Sequence, residues 1–224
     1  MTTISAPPKL HIGRIVRNAV VFNFRKNREA AINADSLLDA ALRLFELLQA
    51  RQIEYVLVGG IALLQYVEGR NTEDLDLIMA QPSLLRVPEI EIISQDANFA
   101  RGKFGALQID VWLSGNPLFA EVARGQIVMR PFAEREIPCA TIEGLLLLKL
   151  YALRSLYRQR NFARVGIYEN DIATLIHDYK PPVEPLLSKL STYLDQTDLI
   201  AVRDILDEIQ IRIKRFDNSK KPAE

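Results

Sequence analysis

The sequence predicts an α/β (α+β) front half followed by a helical back half. Three observations support this: helical spacing of apolar residues before residue 53, strand-like runs with glycine turns over 54–113, and strong helical periodicity from residue 141 onward. The chain has 224 residues, of which 49% are hydrophobic and 25% charged, as is typical of a soluble globular protein. This length accommodates one large or two small domains.

The front half begins with a predicted helix that Asp35 or Ser36 can cap and that ends near Gln52. Its apolar residues recur at helical spacing: Leu37, Leu38, Ala41, Leu42, Leu44, Phe45 and Leu48. Residues 54–58 are then predicted to form a buried strand. We expect Gly59-Gly60 to make a tight turn into a short helix over 61–67, since glycine adopts backbone conformations closed to other residues.

Further strands are predicted after this turn. The first spans 73–79 and is closed by Gln81-Pro82, and the others span 91–94, 99–104 and 106–113, where apolar and polar residues alternate. Gly102 and Gly105 are predicted turn or bulge points. These segments, together with the strand over 54–58, predict a sheet.

The back half carries helical signals. Residues 141–144 resemble a helix start, and residues 145–160 form a strongly periodic run. Pro181-Pro182 separates this helical stretch from two amphipathic segments over 183–194 and 197–216. The predicted organisation is a basic N-terminal arm over 1–34, a core over 35–140, a helical region over 141–217 and a disordered tail over 218–224.

Charge is balanced overall and uneven locally. The formal net charge is zero, so no overall field attracts nucleic acid or a membrane. Residues 1–30 nevertheless carry six basic residues against Glu29 alone, and the stretch between Glu143 and Glu169 carries five basic residues and no acid. The basic N-terminus fits a disordered arm, an oligomerisation segment or an RNA contact, and the sequence does not decide among these.

Cysteine and histidine are scarce. Cys139 is the single cysteine, which excludes an intrachain disulfide, and with two histidines it makes no zinc set. The N-terminus lacks the apolar run of a signal peptide, and no window approaches the ~20 apolar residues of a spanning helix. We therefore expect a cytoplasmic protein that does not bind a membrane.

Two carboxylates stand out within the strand over 73–79. Successive side chains of a strand point to opposite faces, so Asp74 and Asp76 share one face while Leu75 points into the core. Two like charges side by side repel unless a cation lies between them, and carboxylate oxygens suit Mg²⁺ or Mn²⁺. The alternative is a solvent-facing pair on an edge strand. Asp110 is a third acid inside an apolar strand.

The pattern resembles the polymerase-beta-like nucleotidyltransferase superfamily, and most closely the AbiEii/MenT-type nucleotidyltransferases. The latter are toxins of bacterial toxin–antitoxin and abortive-infection systems. The resemblance covers roughly residues 35–180 and is carried by residues 55–60, 70–76, 98–110 and 141–150. It implies a nucleotidyltransferase-fold mixed sheet flanked by helices, followed by a C-terminal helical region.

The resemblance implies Mg²⁺-dependent transfer of NMP from an NTP to an acceptor hydroxyl, with RNA, particularly the tRNA 3′ end, as acceptor. The implied metal ligands are Asp74, Asp76 and Asp110, and the implied nucleotide-binding residues are Gly59, Gly60, Arg70 and Thr72. Lys149 matches a lysine that these toxins place near the nucleotide. Asp171 matches a late acid that would orient this lysine. An antitoxin protein is an implied partner.

Several of these residues have simpler alternatives. Gly59-Gly60 by itself is a turn, and Arg70 fits a surface position. Lys149 fits a helix-face lysine that extends its ammonium group to solvent, and Asp171 fits a helix N-cap.

Other residues are also open to two interpretations. The arginines that follow Lys149 fit either a solvated helix face or an RNA contact: Arg154, Arg158, Arg160 and Arg164. Trp112 and Tyr55 are predicted to be core residues.

One position departs from the superfamily pattern. Residue 61 is Ile, where many members place Ser or Thr after the glycines, so one phosphate hydrogen bond is missing. Two alternative functions therefore stay open. One is nucleotidyl transfer to a protein or a small molecule. The other is nucleotide or partner binding without turnover, with the two C-terminal amphipathic helices as the interface.

Overall fold

A seven-stranded mixed sheet forms the first part of the protein. The computed structural model describes residues 34–67, 74–132 and 135–219, and the chain divides into two compact units between Ala140 and Thr141. The strands of the first unit are β1 (Val56–Val58), β2 (Asp74–Met79), β3 (Glu91–Gln95), β4 (Phe99–Phe104), β5 (Leu107–Leu113), β6 (Ile127–Phe132) and β7 (Arg135–Ala140). Their order across the sheet is β3-β4-β5-β2-β1-β7-β6.

The centre of the sheet combines parallel and antiparallel pairs. Strand β2 runs parallel to β5 and antiparallel to β1, which in turn runs parallel to β7. The outer pairs β3–β4, β4–β5 and β6–β7 are antiparallel. The prediction of a sheet is confirmed, and β2, the strand of the two predicted carboxylates, lies in its interior.

Four helices lie in the described residues of this unit. They are α1 (Ala34–Ala50), α2 (Gly59–Leu63), α3 (Gln81–Leu84) and α4 (Pro117–Gly125). Helix α1 buries the apolar stripe predicted from its periodicity, since Ala41, Leu44 and Leu48 are fully buried. Gln81-Pro82 does more than close β2, because these residues begin α3, where proline suits the first turn.

The two glycines of the β4–β5 region behave differently. Gly105 has a φ of +60° and makes the turn between the strands, as predicted. Gly102 pairs regularly with Ile109 of β5, but on its other side it pairs with Ile92, where the register of the β3–β4 pair shifts, so it lies at an irregularity as predicted. The extra residue belongs to β3, between Ile92 and Ser94. A Cβ on Gly102 would lie 2.7 Å from the carbonyl oxygen of Glu91, so glycine is needed for close strand packing.

Residues 114–140, for which the sequence analysis makes no element prediction, form a helix and a strand pair. The Asn116 side chain accepts a hydrogen bond of 3.0 Å from the backbone N–H of Leu118, and Pro117 follows at the first helical position of α4. Strands β6 and β7 then pair, so β7 extends the sheet beside β1.

The second unit is helical. Its helices are α5 (Ile142–Arg158), α6 (Phe162–Tyr179), α7 (Val183–Leu190) and α8 (Gln196–Ser219). Thr141 caps α5 as predicted, because its hydroxyl accepts a hydrogen bond from the backbone N–H of Gly144. Helix α5 packs against the other three helices, and α6 also packs against α8.

Leucine dominates the core of this unit. Leu153, Leu175 and Leu190 are fully buried on three different helices. Helix α8 includes Asn218 and Ser219, the first two residues of the predicted tail, and residues 220–224 lie outside the described residues. Within the described residues, no helix has the length and apolarity needed to cross a membrane.

Candidate functional site

Three carboxylates meet in the middle of the sheet. Asp76 on β2 stands in register with Asp110 on the parallel strand β5, and Asp74 shares a face with Asp76. One carboxylate oxygen from each of the three lies within 4.8 Å of the others. The edge-strand alternative is wrong, because β2 has a paired strand on each side. Three carboxylates at this separation fit a hard divalent cation such as Mg²⁺ or Mn²⁺.

Asp76 is the most enclosed of the three. It is only 9% exposed, and both of its oxygens accept hydrogen bonds. The indole Nε1–H of Trp112 donates to Oδ1 at 3.2 Å, and the backbone N–H of Gly60 donates to Oδ2 at 3.3 Å. These two donors orient the carboxylate.

The protonation of Asp76 is strongly perturbed. Burial, followed by the negative charge of Asp74, raises the pKa of Asp76 from 3.8 to about 7. The charge of Asp110 acts in the same direction, while the hydrogen bonds from Trp112 and Gly60 oppose the increase. The raised pKa means that the surrounding protein groups stabilise the negative charge of Asp76 only weakly. A bound cation would stabilise this charge and favour the ionised form.

Gly59 leaves the space that Asp76 occupies. Its φ is +63°, and a Cβ built on it would lie 1.9 Å from Oδ2 of Asp76. Any other residue would therefore displace the carboxylate. The simpler alternative for Gly59-Gly60, a turn, is therefore correct. The turn also contacts the acidic cluster, because Gly59 leaves space for the Asp76 carboxylate and Gly60 donates a hydrogen bond to it.

A residue missed by the sequence analysis, Arg101, contacts the third carboxylate. Arg101 stands opposite Asp110 in the β4–β5 register, and its Nε and Nη2 atoms donate to Oδ1 and Oδ2 at 2.7 and 2.5 Å. This contact with Asp110 raises the pKa of Arg101, and the charges of Asp74 and Asp76 contribute. The available signal in the sequence is the alternation of β4, which places Arg101 on the exposed face of that strand. The alternation does not show which residue of β5 lies opposite Arg101, because this depends on the register of the two strands.

Trp112 is the second missed residue. The prediction that it belongs to the core is incomplete, because Trp112 is half-buried and on the same face of β5 as Asp110. Its ring packs edge-on against Phe99 and lies 5.1 Å from the ring of Phe119, while its indole N–H reaches Asp76. The two-residue spacing from Asp110 is the signal that could have revealed this.

Ile61 contributes no polar group to the cluster. It is 4% exposed and belongs to the core beneath the glycine turn. Ile61 therefore offers no hydroxyl to a phosphate at this position.

Lys149 and Asp171 form a buried ion pair within the helical unit. Lys149 Nζ donates to Asp171 Oδ2 at 2.7 Å and lies 4.1 Å from the ring centroid of Tyr168. Lys149 is 5% exposed, so the alternative of a solvent-seeking lysine is wrong. The N-cap alternative for Asp171 is also wrong, because this residue lies in the middle of α6.

The predicted basic face is partly neutralised. Arg154 and Arg158 both form ion pairs with Asp198 at the start of α8, and Asp198 is 4% exposed. Arg160 and Arg164 are exposed. Arg70 and Thr72, the other predicted phosphate contacts, lie outside the described residues.

No protein-family model and no curated protein matches this chain. Among solved structures, the chain is similar to an antigenic nucleotidyltransferase-like protein from Paracoccidioides brasiliensis. The identity is 18%, the TM-score is 0.53, and the match covers 77% of this chain and 87% of that one. This similarity confirms the predicted nucleotidyltransferase fold, in which helices flank a mixed sheet.

Two further similar structures belong to ANT(2″)-Ia. The crystal structure with adenylyl-2″-tobramycin has 12% identity and a TM-score of 0.46, and the match covers 74% of this chain and 97% of that one. The solution structure of the same antibiotic-resistance factor has 10% identity and a TM-score of 0.47, with 81% and 96% covered.

Proposed function

We propose that this protein is a divalent-metal-dependent nucleotidyltransferase. An acceptor hydroxyl would attack the α-phosphate of an NTP and lose its proton, the bond between the α- and β-phosphates would break, and pyrophosphate would leave. The observation that carries the proposal is the cluster of Asp74, Asp76 and Asp110 on adjacent parallel strands, beside the Gly59-Gly60 turn. The fold is of the nucleotidyltransferase type, which agrees with this chemistry.

Each residue of the cluster has a proposed role. Asp74, Asp76 and Asp110 would hold Mg²⁺ or Mn²⁺, which neutralises phosphate charge and stabilises the attacking and leaving oxygens during transfer. Gly59 lets Asp76 take its position, and Gly60 orients it through its N–H. Asp110 is proposed to complete the metal site on the acceptor side and to polarise the attacking hydroxyl.

Further roles follow from the resemblance. Arg70 and Thr72 are proposed to contact the phosphates through a guanidinium and a hydroxyl. Lys149 is a proposed catalytic residue that Asp171 orients, and the short contact between the two supports the orienting role.

The test is label transfer from α-labelled NTPs to total RNA in the presence of Mg²⁺, with the variants Asp76→Asn and Asp110→Asn. Both variants should lose transfer by several orders of magnitude while keeping their circular dichroism spectrum. Asp207→Asn, which replaces an exposed acid on α8, is the matched control and should keep full activity. Full transfer by the Asp76→Asn/Asp110→Asn double variant would refute the proposal.

We propose RNA, and in particular the tRNA 3′ end, as the acceptor, with a role as the toxin of a bacterial toxin–antitoxin system. The exposed Arg160 and Arg164 support phosphate contacts, whereas the Asp198 pairs reduce what Arg154 and Arg158 can offer. Parallel incubation with RNA, protein extract and small-molecule hydroxyl acceptors identifies the labelled class. Growth arrest on expression, relieved by Asp76→Asn, tests the toxin role.

A specific observation favours a second candidate, a binding protein without turnover. Ile61 is buried where a phosphate-binding hydroxyl would stand. Calorimetric binding of NTP and Mg²⁺, combined with no labelled product from any acceptor class, would support this candidate over the transferase.

A further inference from the structure

The carboxylate of Asp110 is already occupied by a cation of the chain itself. Both of its oxygens accept hydrogen bonds from one guanidinium, at 2.7 Å from Nε and 2.5 Å from Nη2 of Arg101. This two-point geometry is the strongest form of an arginine–carboxylate contact. A divalent cation that uses Asp110 as a ligand must share or displace this guanidinium.

Asp76 is held differently. Its two oxygens accept from a neutral indole N–H and a neutral backbone N–H, neither of which competes with a cation for charge. Asp110, in contrast, pairs with the charged guanidinium of Arg101, which carries the same sign of charge as a metal ion.

Arg101 is the more accessible partner of this ion pair. Its side chain is 45% exposed, whereas that of Asp110 is 17% exposed. Water can therefore hydrate the guanidinium when it leaves the carboxylate, and salt screens the attraction between the two groups. The planar guanidinium binds phosphate oxygens with the same two-point geometry that it uses for a carboxylate.

We propose that Arg101 is a displaceable counter-cation of the acidic cluster and a phosphate-binding residue. It neutralises Asp110 in the metal-free protein, releases this carboxylate to the divalent cation, and then binds the phosphate chain that the cation brings. The inference rests on the proposed function. Metal and nucleotide binding are coupled through this one side chain.

Two opposite effects on affinity follow. Removing the guanidinium removes a competitor for Asp110, so Arg101→Ala should bind Mn²⁺ about fivefold more tightly than the wild-type protein without nucleotide. At saturating metal, the same variant should bind a phosphate chain more weakly, by about tenfold, because it has lost a charged donor.

Metal binding can be followed through Trp112, the only tryptophan of the chain, whose indole contacts Asp76. Mn²⁺ and Mg²⁺ titrations of the wild-type protein, Arg101→Ala and Arg101→Gln would use its fluorescence. Arg51→Ala is the matched control, since it removes another exposed two-point pair, with Glu89, on the loop after α1. It should leave both metal affinities unchanged.

Tripolyphosphate serves as the probe of the second effect, because it carries the charge of the NTP without a base. Calorimetric titration at a fixed excess of free Mg²⁺ should give weaker binding for both Arg101 variants and unchanged binding for Arg51→Ala. Metal affinity that is equal to or below that of the wild type, or unchanged tripolyphosphate affinity, would overturn the inference.

The design separates this inference from the proposed function. If the wild-type protein binds Mn²⁺ through Asp76 and Asp110 but the Arg101 variants behave like the wild type, only the inference fails. If no chain binds Mn²⁺, the proposed metal site fails as well. Should the variants not fold, the Arg101 Nε–H resonance of the wild-type protein decides: Mg²⁺ should shift it, and an unmoved resonance would overturn the inference.

Discussion

Asp76 couples the stability of the protein to pH. Its pKa is raised to about 7 in the fold, so the fold favours the neutral carboxyl, and this contribution is complete below the unfolded-state value of 3.8. It is lost as the pH rises through 7. In EDTA, the wild-type free energy of unfolding should fall by about 2–4 kcal/mol between pH 4 and pH 8 relative to Asp76→Asn. Urea unfolding at both pH values measures this, and parallel pH dependences would contradict it.

Gly59 and Gly105 allow a matched test of the space beside Asp76. Both have a left-handed φ, of +63° and +60°, so alanine is strained by about 1–2 kcal/mol at either position. A Cβ at Gly105 meets nothing within 4 Å, whereas one at Gly59 meets the Asp76 carboxylate. Gly59→Ala should therefore abolish metal binding and transfer, while Gly105→Ala should lose stability only. Equal metal affinity in both variants, measured by titration, would contradict this.

At the level of the elements, one buried ion pair joins α5 to α6. Lys149→Met would remove the ammonium group that neutralises the buried Asp171, and we expect it to lower the free energy of unfolding by about 3–5 kcal/mol. Lys149→Met/Asp171→Leu should recover most of this loss, because two apolar groups of similar size replace the pair. Chemical denaturation measures both.

The double variant also separates two roles for Lys149. A stable chain without transfer supports the proposed catalytic role, and a stable chain with wild-type transfer leaves the pair as a structural contact between the two helices. The isosteric Asp171→Asn variant serves as a control, since it keeps one hydrogen-bond acceptor for the ammonium group.

Prediction of helices and strands from the sequence succeeded where the apolar residues recur with a single period, that of a helix or that of a strand. Strand β4 agrees with the predicted range, and the α5 cap at Thr141 was predicted from its residue type. Strands β6 and β7 went unpredicted because each contains a proline, Pro131 or Pro138, and proline argues against a strand.

The acidic cluster was predictable because two-residue spacing and a known motif specify it. Arg101 was not, since its contact with Asp110 depends on the register of two strands, which no local pattern shows. Arg154 and Asp198 are 44 residues apart in the sequence, and their pairing likewise depends on how α5 and α8 pack. Spacing predicts the face of an element, and tertiary packing decides its partners.

At the scale of the whole molecule, the net charge is zero, so the proposed RNA binding would depend on local clusters of exposed cations. Arg160→Ser/Arg164→Ser should weaken RNA binding and reduce the slope of log K against log salt by about 1.4, as two lost phosphate contacts predict for single strands. Lys214→Ser/Arg215→Ser removes two exposed cations from α8 and should leave the slope unchanged. Filter binding at several salt concentrations measures this. Identical slopes for both pairs would place the RNA contact elsewhere.

The missing Cβ of Gly59 also constrains the routes by which a damaged chain could recover. In a genetic selection for restored folding from Gly59→Ala, a smaller residue in place of Asp76 would relieve the clash. Such suppressors would regain stability and lose the carboxylate that is proposed to hold the cation. Revertants that recover folding through a change at Asp76 would therefore lack nucleotidyl transfer. Transfer would return only in revertants that restore Gly59.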